Sequence, residues 1–493
     1  MKHTISRREF LKTSTCAFAG LTIIPGHVVS GMGHTVPSDK LNIVGVGVGG
    51  RGRKDLHFMQ SENIIGLCDV DLAYAKETIQ TYHKARVFTD YRKMFDTMHK
   101  DIDAVVVATP DHTHAIIAAG AMHLGKHVYC EKPLTHSVYE SRYLTELARK
   151  KKVATQMGNQ GNSGEGVRLI CEWIRNGEIG EVKEVHAWTN RPIWPQGLQR
   201  PAVGMSLPDT LSWDLFLGPA PYRPYHEIYT PWNWRGWWDF GTGALGDMAC
   251  HILDPVFQAL HLKYPEKVFA TSTQITMDCA PHAEKVKFTF PARPDLPKVK
   301  MPEVVLHWYD GGFVPDALYE LPAGVMDGKE WINGVIFKGS KDMLICGCYG
   351  AKPFLVSGRV PDIPKTLRRV ETQPEGWRNG DHHMDWVRAC KESPENRIPG
   401  SADFEYAGPL NETVVMGVLA VRLQGLHKEL LWNGEQMKFT NISDRENIRV
   451  VKTDLFTVQD GHPTFNTEYV TLPAKETAEE FIKHNYREGW KLS

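Results

Sequence analysis

The sequence predicts an α/β protein with two sheets. A doubly wound parallel sheet comes first, followed by a domain built on a second, largely antiparallel sheet. Three observations predict this. Apolar strand runs and helical patterns alternate from residue 41 to about 158. A Gly-rich turn joins the first strand to the first helix. Short strand-like runs then recur between 268 and 346.

Leu41–Val46 is the first expected strand, Arg51–Gln60 the first helix and Asn63–Cys68 the second strand, and Asp71–Lys84 has helical periodicity. Ala104–Ala108 is apolar at every position, as suits a strand covered on both faces. Asp111–Leu124 follows as a helix, with Asp111 as N-cap and Gly125 at C′. His127–Cys130 reads as a strand, and Ser137–Lys151 as a helix whose basic end suits its dipole. The character changes after residue 158: residues 173–238 hold eight of the fourteen tryptophans, among many Pro and Gly. A helix is expected over Ala244–Leu260, bent by Pro255 near His251. Strand runs follow at 268–275, 285–290, 304–308, 334–338 and 343–346, and helices at 382–391 and 402–427. The expected division is a signal over 1–33, a linker over 34–40, a nucleotide-binding domain over 41–158, a second domain over 159–440, and a polar tail over 441–493 without clear period.

Composition places the chain among ordinary globular proteins, 42% apolar and 23% charged. Ser6-Arg7-Arg8-Glu9-Phe10-Leu11-Lys12, followed by the apolar run 17–24, reads as a twin-arginine export signal. A general secretory signal is the alternative. The expected location is therefore the periplasm, or otherwise outside the cytoplasm. Lys2, Arg7, Arg8 and Lys12 outweigh Glu9, so removing the signal leaves a net charge of about −4. That is no footprint for a nucleic acid. No later apolar run is long enough to span a bilayer. Nine cysteines without a Cys-x-x-Cys pair read as buried free thiols, Cys16 being lost with the signal.

Four constellations carry chemistry. Gly45, Gly47, Gly49 and Gly50 form a Gly-rich loop between strand and helix, where backbone N–H groups can approach a pyrophosphate. Asp69 ends the next strand; an acid there accepts from a ribose 2′-OH and repels a 2′-phosphate, which favours NAD, while Arg51 and Arg53 keep NADP open. Thr109, Pro110, His112 and His114 follow the apolar strand at its C-terminal edge, where open α/β sheets bind ligands. Glu131-Lys132-Pro133 ends another strand, and an ammonium there could stabilise a developing alkoxide. Asp247 and His251 stand four apart on one helical face, suited to general acid–base work. A metal pair would share that spacing, but no third ligand is evident nearby, so no metal is expected.

Taken in this order, the Gly45 loop, Thr109-Pro110 with His114, Glu131-Lys132-Pro133 and Asp247-x-x-x-His251 resemble the Gfo/Idh/MocA oxidoreductases over about residues 40 to 435. The resemblance implies a Rossmann domain followed by an α/β domain whose open sheet serves oligomerisation, hence a homo-oligomer. It implies oxidation or reduction of a secondary hydroxyl of a sugar or cyclitol with a nicotinamide cofactor. It also implies Lys132, Asp247 and His251 as the catalytic set, with His251 as acid/base. Gln160 lies in Met157–Asn162, which departs from the family's pattern and leaves its substrate contact open; His382 resembles part of a His-rich helix start that reaches the site. The Trp232–Trp238 run, Trp238 included, suggests aromatic stacking on a sugar.

The leading expectation is an exported oxidoreductase acting on a sugar or glycoside hydroxyl, at C3, with tightly held and internally recycled NAD. The second is a redox-neutral NAD-dependent glycoside hydrolase, which needs a further base; Tyr222, Tyr225, Tyr349 and His382 are candidates. The third is a non-catalytic sugar-binding protein.

Overall fold

Alternating apolar strands and helices from residue 42 onward build a six-stranded sheet, all its pairings parallel. The computed structural model describes residues 39–325 and 332–492, so the expected signal, with Arg7, Arg8 and Cys16, and the linker up to residue 38 lie outside the described residues. The strands are β1 (Asn42–Val46), β2 (Asn63–Cys68), β3 (Arg86–Phe88), β4 (Ala104–Val107), β5 (His127–Cys130) and β6 (Thr155–Met157), in the order 3-2-1-4-5-6. That is the doubly wound arrangement, whose crevice opens at the carboxyl ends of the strands. All four residues of β4 are buried, as their unbroken apolar run requires.

The connecting helices are α1 (Arg51–Phe58), α2 (Lys76–Thr81), α3 (Tyr91–Met98), α4 (Asp111–His123) and α5 (Val138–Lys151). Ser137 caps α5 in a reciprocal capping box with Glu140, and Arg149, Lys150 and Lys151 end it. Two expectations need correction. Asp71 does not start a helix: its carboxylate accepts from the N–H groups of Ala73 and Tyr74 and holds a turn, so α2 begins only at Lys76. Asp111 is not the N-cap of α4; Pro110 is, and the Asp111 carboxylate accepts from Thr242 N and Oγ1 at 3.1 and 2.7 Å. Gly125 has φ +75° just past the end of α4, the left-handed position expected of it.

The second domain carries α6 (Glu165–Arg175), β7 (Val182–Thr189) and α7 (Trp213–Leu217), then α8 (Gly243–Ile252) and α9 (Asp254–Ala259). The helix expected over 244–260 is divided at Leu253, because Pro255 cannot donate to the carbonyl of His251. Its sheet comprises β7 with β8 (Lys267–Ser272), β9 (Glu284–Phe290), β10 (Val304–Tyr309), β11 (Asn333–Gly339), β12 (Met343–Gly347), β13 (Phe354–Leu355), β14 (Leu430–Asn433) and β15 (Lys438–Phe439). The strand order is 13-12-11-7-10-9-8-14-15, and every pairing but β7 with β10 is antiparallel.

Two later helices tie the domains together. In α10 (Asp381–Lys391), Trp386 and Val387 pack with Ile43, Leu56 and Tyr129 of the first domain. The longer α11 (Phe404–Arg422) lies in a continuous core that runs from Val105 and Ile117 to Phe288 and Leu306. Asn411 on α11 is fully buried; its Oδ1 accepts from Leu134 N at 2.9 Å, and its Nδ2 donates to Thr135 Oγ1 and Ser141 Oγ. Asn411→Leu orphans those groups and is expected to lower unfolding free energy by about 1–3 kcal/mol, read from urea denaturation midpoints.

The segment read as a polar tail is ordered. It forms the hairpin of β16 (Asn447–Gln459) and β17 (His462–Pro473), then α12 (Ala474–Ile482). No described helix is long and apolar enough to cross a membrane. The eight described cysteines are all free thiols, seven of them buried.

Candidate functional site

The carboxyl ends of β1, β2, β4 and β5 open into a cavity of about 420 Å³, roofed by residues from 211 to 235 of the second domain. At one end stands the Gly-rich loop. Gly47 has φ +80°, and a Cβ there would lie 2.7 Å from the backbone of Ala108 and Thr109. Gly47 and Gly50 line the cavity, and α1 starts at Arg51 without a side-chain cap. Its first N–H groups are thus left for a ligand. Gly45 and Gly49 serve the loop differently. A Cβ on Gly45 would meet Leu56 and Val48 at 2.8 Å, and Gly49 N donates to Asp69 Oδ2 at 2.9 Å beneath the Tyr74 ring. Gly47→Ala adds both a strained φ and a backbone clash; it is expected to cost on the order of 1–3 kcal/mol of stability and to abolish nucleotide binding, checked by denaturation and by nucleotide titration.

Asp69 also accepts from Val48 N at 2.8 Å and, on its other oxygen, from Asp71 N at 3.0 Å. Burial raises its carboxyl to about 6 against the pull of these N–H groups. Arg51 and Arg53 both already face carboxylates. Arg51 Nε sits 2.9 Å from Asp55 and 3.1 Å from Glu131, and Arg53 pairs with Glu77. Arg51 nonetheless lines the cavity, with Thr109, Pro110 and Glu131. His114 does not. It is 1% exposed, and its two ring nitrogens lie 2.8 Å from the carbonyls of Pro133 and Thr109, so it holds two strand ends together rather than touching a ligand. His112 is likewise buried, with Nε2 3.0 Å from Phe216 O.

At the other end, α8 presents Asp247 and His251 one turn apart, and β5 delivers Lys132 to them. Lys132 Nζ donates to Asp247 Oδ1 at 2.6 Å and to Asp247 O at 3.0 Å. Arg235 Nε adds a bond of 3.2 Å to the same Oδ1. Burial opposes ionisation of Asp247, but Lys132 and Arg235 outweigh it and hold the carboxyl well below the usual range. Burial, then the Lys132 charge, push the His251 imidazole well below its ordinary value, so it is neutral at pH 7. Its Nδ1 is buried without a partner, and its ring packs on Tyr349, centroids 4.6 Å apart. Tyr349 has φ +67°, an uncommon conformation for a tyrosine, and lines the cavity.

Three substrate-side expectations divide. Gln160 lines the cavity, though its amide already donates to Glu131 Oε1 at 2.8 Å and Tyr129 Oη at 3.1 Å. Trp238 is corrected: it is 4% exposed in the hydrophobic core beneath Arg422 and absent from the cavity wall. His382 is corrected too: it is fully buried, with Nδ1 2.6 Å from Ser163 Oγ and Nε2 2.8 Å from Met157 O. Trp232 and Trp234 face the cavity instead, stacked with the Arg235 guanidinium at 3.7 and 4.3 Å. Of the other candidate bases, Tyr222 is 71% exposed and neither it nor Tyr225 lines the cavity. Arg235 and Tyr74 were missed. An arginine set between tryptophans was the one available signal for the first, and nothing in the pattern marked the second.

Two family models match the chain: the oxidoreductase family's NAD-binding Rossmann fold over residues 41–159, and its C-terminal α/β domain over 182–293. A glycosyl hydrolase family 109 protein of Shewanella pealeana is 29% identical over 202 residues, covering 36% of this chain and 44% of that protein. Levoglucosan dehydrogenase of Pseudarthrobacter phenanthrenivorans is 29% identical over 166 residues, 34% of each chain. The chain thus matches less than half the length of these curated relatives. The WlbA dehydrogenase of Bordetella pertussis, solved in complex with NADH and UDP-GlcNAcA, shares the fold with a TM-score of 0.54 at 14% identity, over 80% of this chain and 99% of that one.

Proposed function

We propose that this chain is an oxidoreductase of the Gfo/Idh/MocA family, whose two models match residues 41–159 and 182–293, and that it oxidises a secondary hydroxyl of a sugar or glycoside, at C3, using tightly held NAD. The observation that carries the reading is the Lys132–Asp247 bond of 2.6 Å, beside His251, in the same cavity as the Gly-rich loop. The loop fits a dinucleotide: a Cβ at Gly47 would fill the approach, and the uncapped start of α1 faces the space. Gly47, Gly50, Arg51, Asp69, Thr109 and Pro110 would hold it. Asp69 favours NAD over NADP, since a carboxylate repels a 2′-phosphate and both nearby arginines are engaged.

When bound, NAD supplies the hydride acceptor. The protein's own groups handle the proton. His251, kept neutral, takes the hydroxyl proton. The Lys132 ammonium stabilises the developing alkoxide. Asp247 aims Lys132 and balances its charge. Trp232 offers a ring face to the sugar.

The second reading is redox-neutral glycoside hydrolysis, for which Tyr349, packed on His251 in the cavity, is the candidate further base; burial raises its phenol above the ordinary value, so it would need to pass its proton on before acting. Both readings include export of the folded protein on the Ser6–Lys12 signal and regeneration of the cofactor within the site. Both also include a homo-oligomer formed through the second sheet, where β10 alternates buried Val304, Leu306 and Trp308 with half-exposed Val305, His307 and Tyr309. Incubation with a panel of glycosides separates the readings. A keto-glycoside product supports oxidation, a free sugar with no net redox change supports hydrolysis, and neither product from any glycoside contradicts both.

A further inference from the structure

Residues 483–492 run back across the first domain after α12 and end against the cavity. Tyr486 Oη donates to Glu140, and the His484 ring packs on His136 with Nδ1 atoms 3.2 Å apart. Arg487 holds the α7 end of the second domain: Nε donates to Gly218 O at 3.1 Å, Nη2 to Asp214 O at 2.9 Å, and Nη1 pairs with the Asp214 carboxylate. Arg487 N also donates to Pro219 O at 2.9 Å. Beyond these anchors Trp490 is half-buried, with the Arg92 guanidinium over its ring at 4.3 Å. Arg92 is fixed in turn by a bidentate bond to Asp90. Trp490 lines the cavity beside Thr89, Asp90 and Tyr91.

Those neighbours locate it. Asp69, at the end of β2, marks where the adenosine ribose belongs in a doubly wound fold, and the end of β3 adjoins it. Lys132 and His251 mark the reacting end. Trp490 therefore belongs to the adenosine end, where an indole offers a face to a purine.

We propose that residues 483–492 are a strap that retains the cofactor, with Trp490 as the wall of the adenine site and Arg487 as the anchor that seats it. The inference rests on the NAD reading above. It makes the cofactor a resident group, since the adenosine end cannot leave until the strap lifts.

The test uses the full chain loaded with NADH and follows release by the change in nicotinamide fluorescence on dilution. Trp490→Ala is expected to speed release about tenfold or more, the usual worth of one base–aromatic stack, while Trp490→Phe stays near wild type. Arg487→Ala, which keeps the indole but removes the anchor that seats it, is expected to speed release too. Affinity for nicotinamide mononucleotide, which lacks adenosine, is expected to be unchanged in all three. Wild-type protein that binds no NADH would overturn the cofactor reading itself. Tight wild-type binding with unaltered release from Trp490→Ala and Arg487→Ala would overturn the strap alone. So would an equal loss of affinity for nicotinamide mononucleotide, which would indicate general disruption.

Discussion

His251→Asn lowers kcat by about 10²–10⁴-fold, the usual contribution of a positioned general base, and leaves NAD occupancy at the wild-type level. The residue lines the cavity, so the smaller amide widens that space rather than opening a void in the closed core, and its Nδ1 has no partner to lose. Loss of rate therefore reports chemistry. The pH profile gives an independent reading. Because burial and the Lys132 charge depress the imidazole, it stays neutral and able to accept a proton well below its ordinary 6.5. The acid limb of kcat/KM in the wild type is accordingly expected below pH 6.5 and absent from the residual activity of the variant. Unchanged turnover with folded His251→Asn protein would remove the residue from the mechanism.

Lys132→Met is the second large effect, and it acts twice. It removes the ammonium beside the developing alkoxide, for which a loss of about 10²–10³-fold in kcat is expected, as for a deleted oxyanion donor. It also leaves Asp247, 14% exposed, with only Arg235 as its counter-charge. Breaking a buried pair typically costs about 3–5 kcal/mol; the remaining Arg235 bond places the expected loss of stability below that range. The pH profile tests the Lys132 charge beside His251 independently of both roles. Lys132 pushes the His251 pKa down, so its removal lets that pKa rise and moves the acid limb to higher pH. An unshifted limb would mean that the Lys132 charge does not act on His251.

Much of the site was legible because its residues fall at strand ends and on one helix face. Gly47, Asp69, Thr109, Lys132, Asp247 and His251 each follow a recognisable run, and the fold then brings them to one cavity. The readings that failed concern what lies behind that wall. His114, His382 and Trp238 look like ligand-facing residues in sequence, yet each is buried and used in packing or held by backbone carbonyls. Period alone cannot tell an inward polar side chain from one aimed at a ligand. The short β3 and β6, three residues each, carry too few positions to show alternation. β7 lay hidden in the Trp-rich stretch because six of its eight residues are buried, which erases the polar half of the pattern. The hairpin of β16 and β17 was missed for the opposite reason: its outer half is exposed on both faces, including Leu455, Phe456 and Phe465. Trp490 carries no local motif, and only the path of the chain after α12 places it at the cavity.

The most direct measurement is made on protein purified without added nucleotide. Its bound nucleotide is identified by mass spectrometry, and its absorbance at about 340 nm is followed as glycosides are added. Close to one NAD(H) per chain is expected, surviving purification and changing redox state with a glycoside carrying a free C3 hydroxyl in wild type but not in His251→Asn. Protein that is folded yet carries no nicotinamide and binds none when it is offered, or a bound nicotinamide whose redox state responds equally in both proteins, would contradict the proposed function.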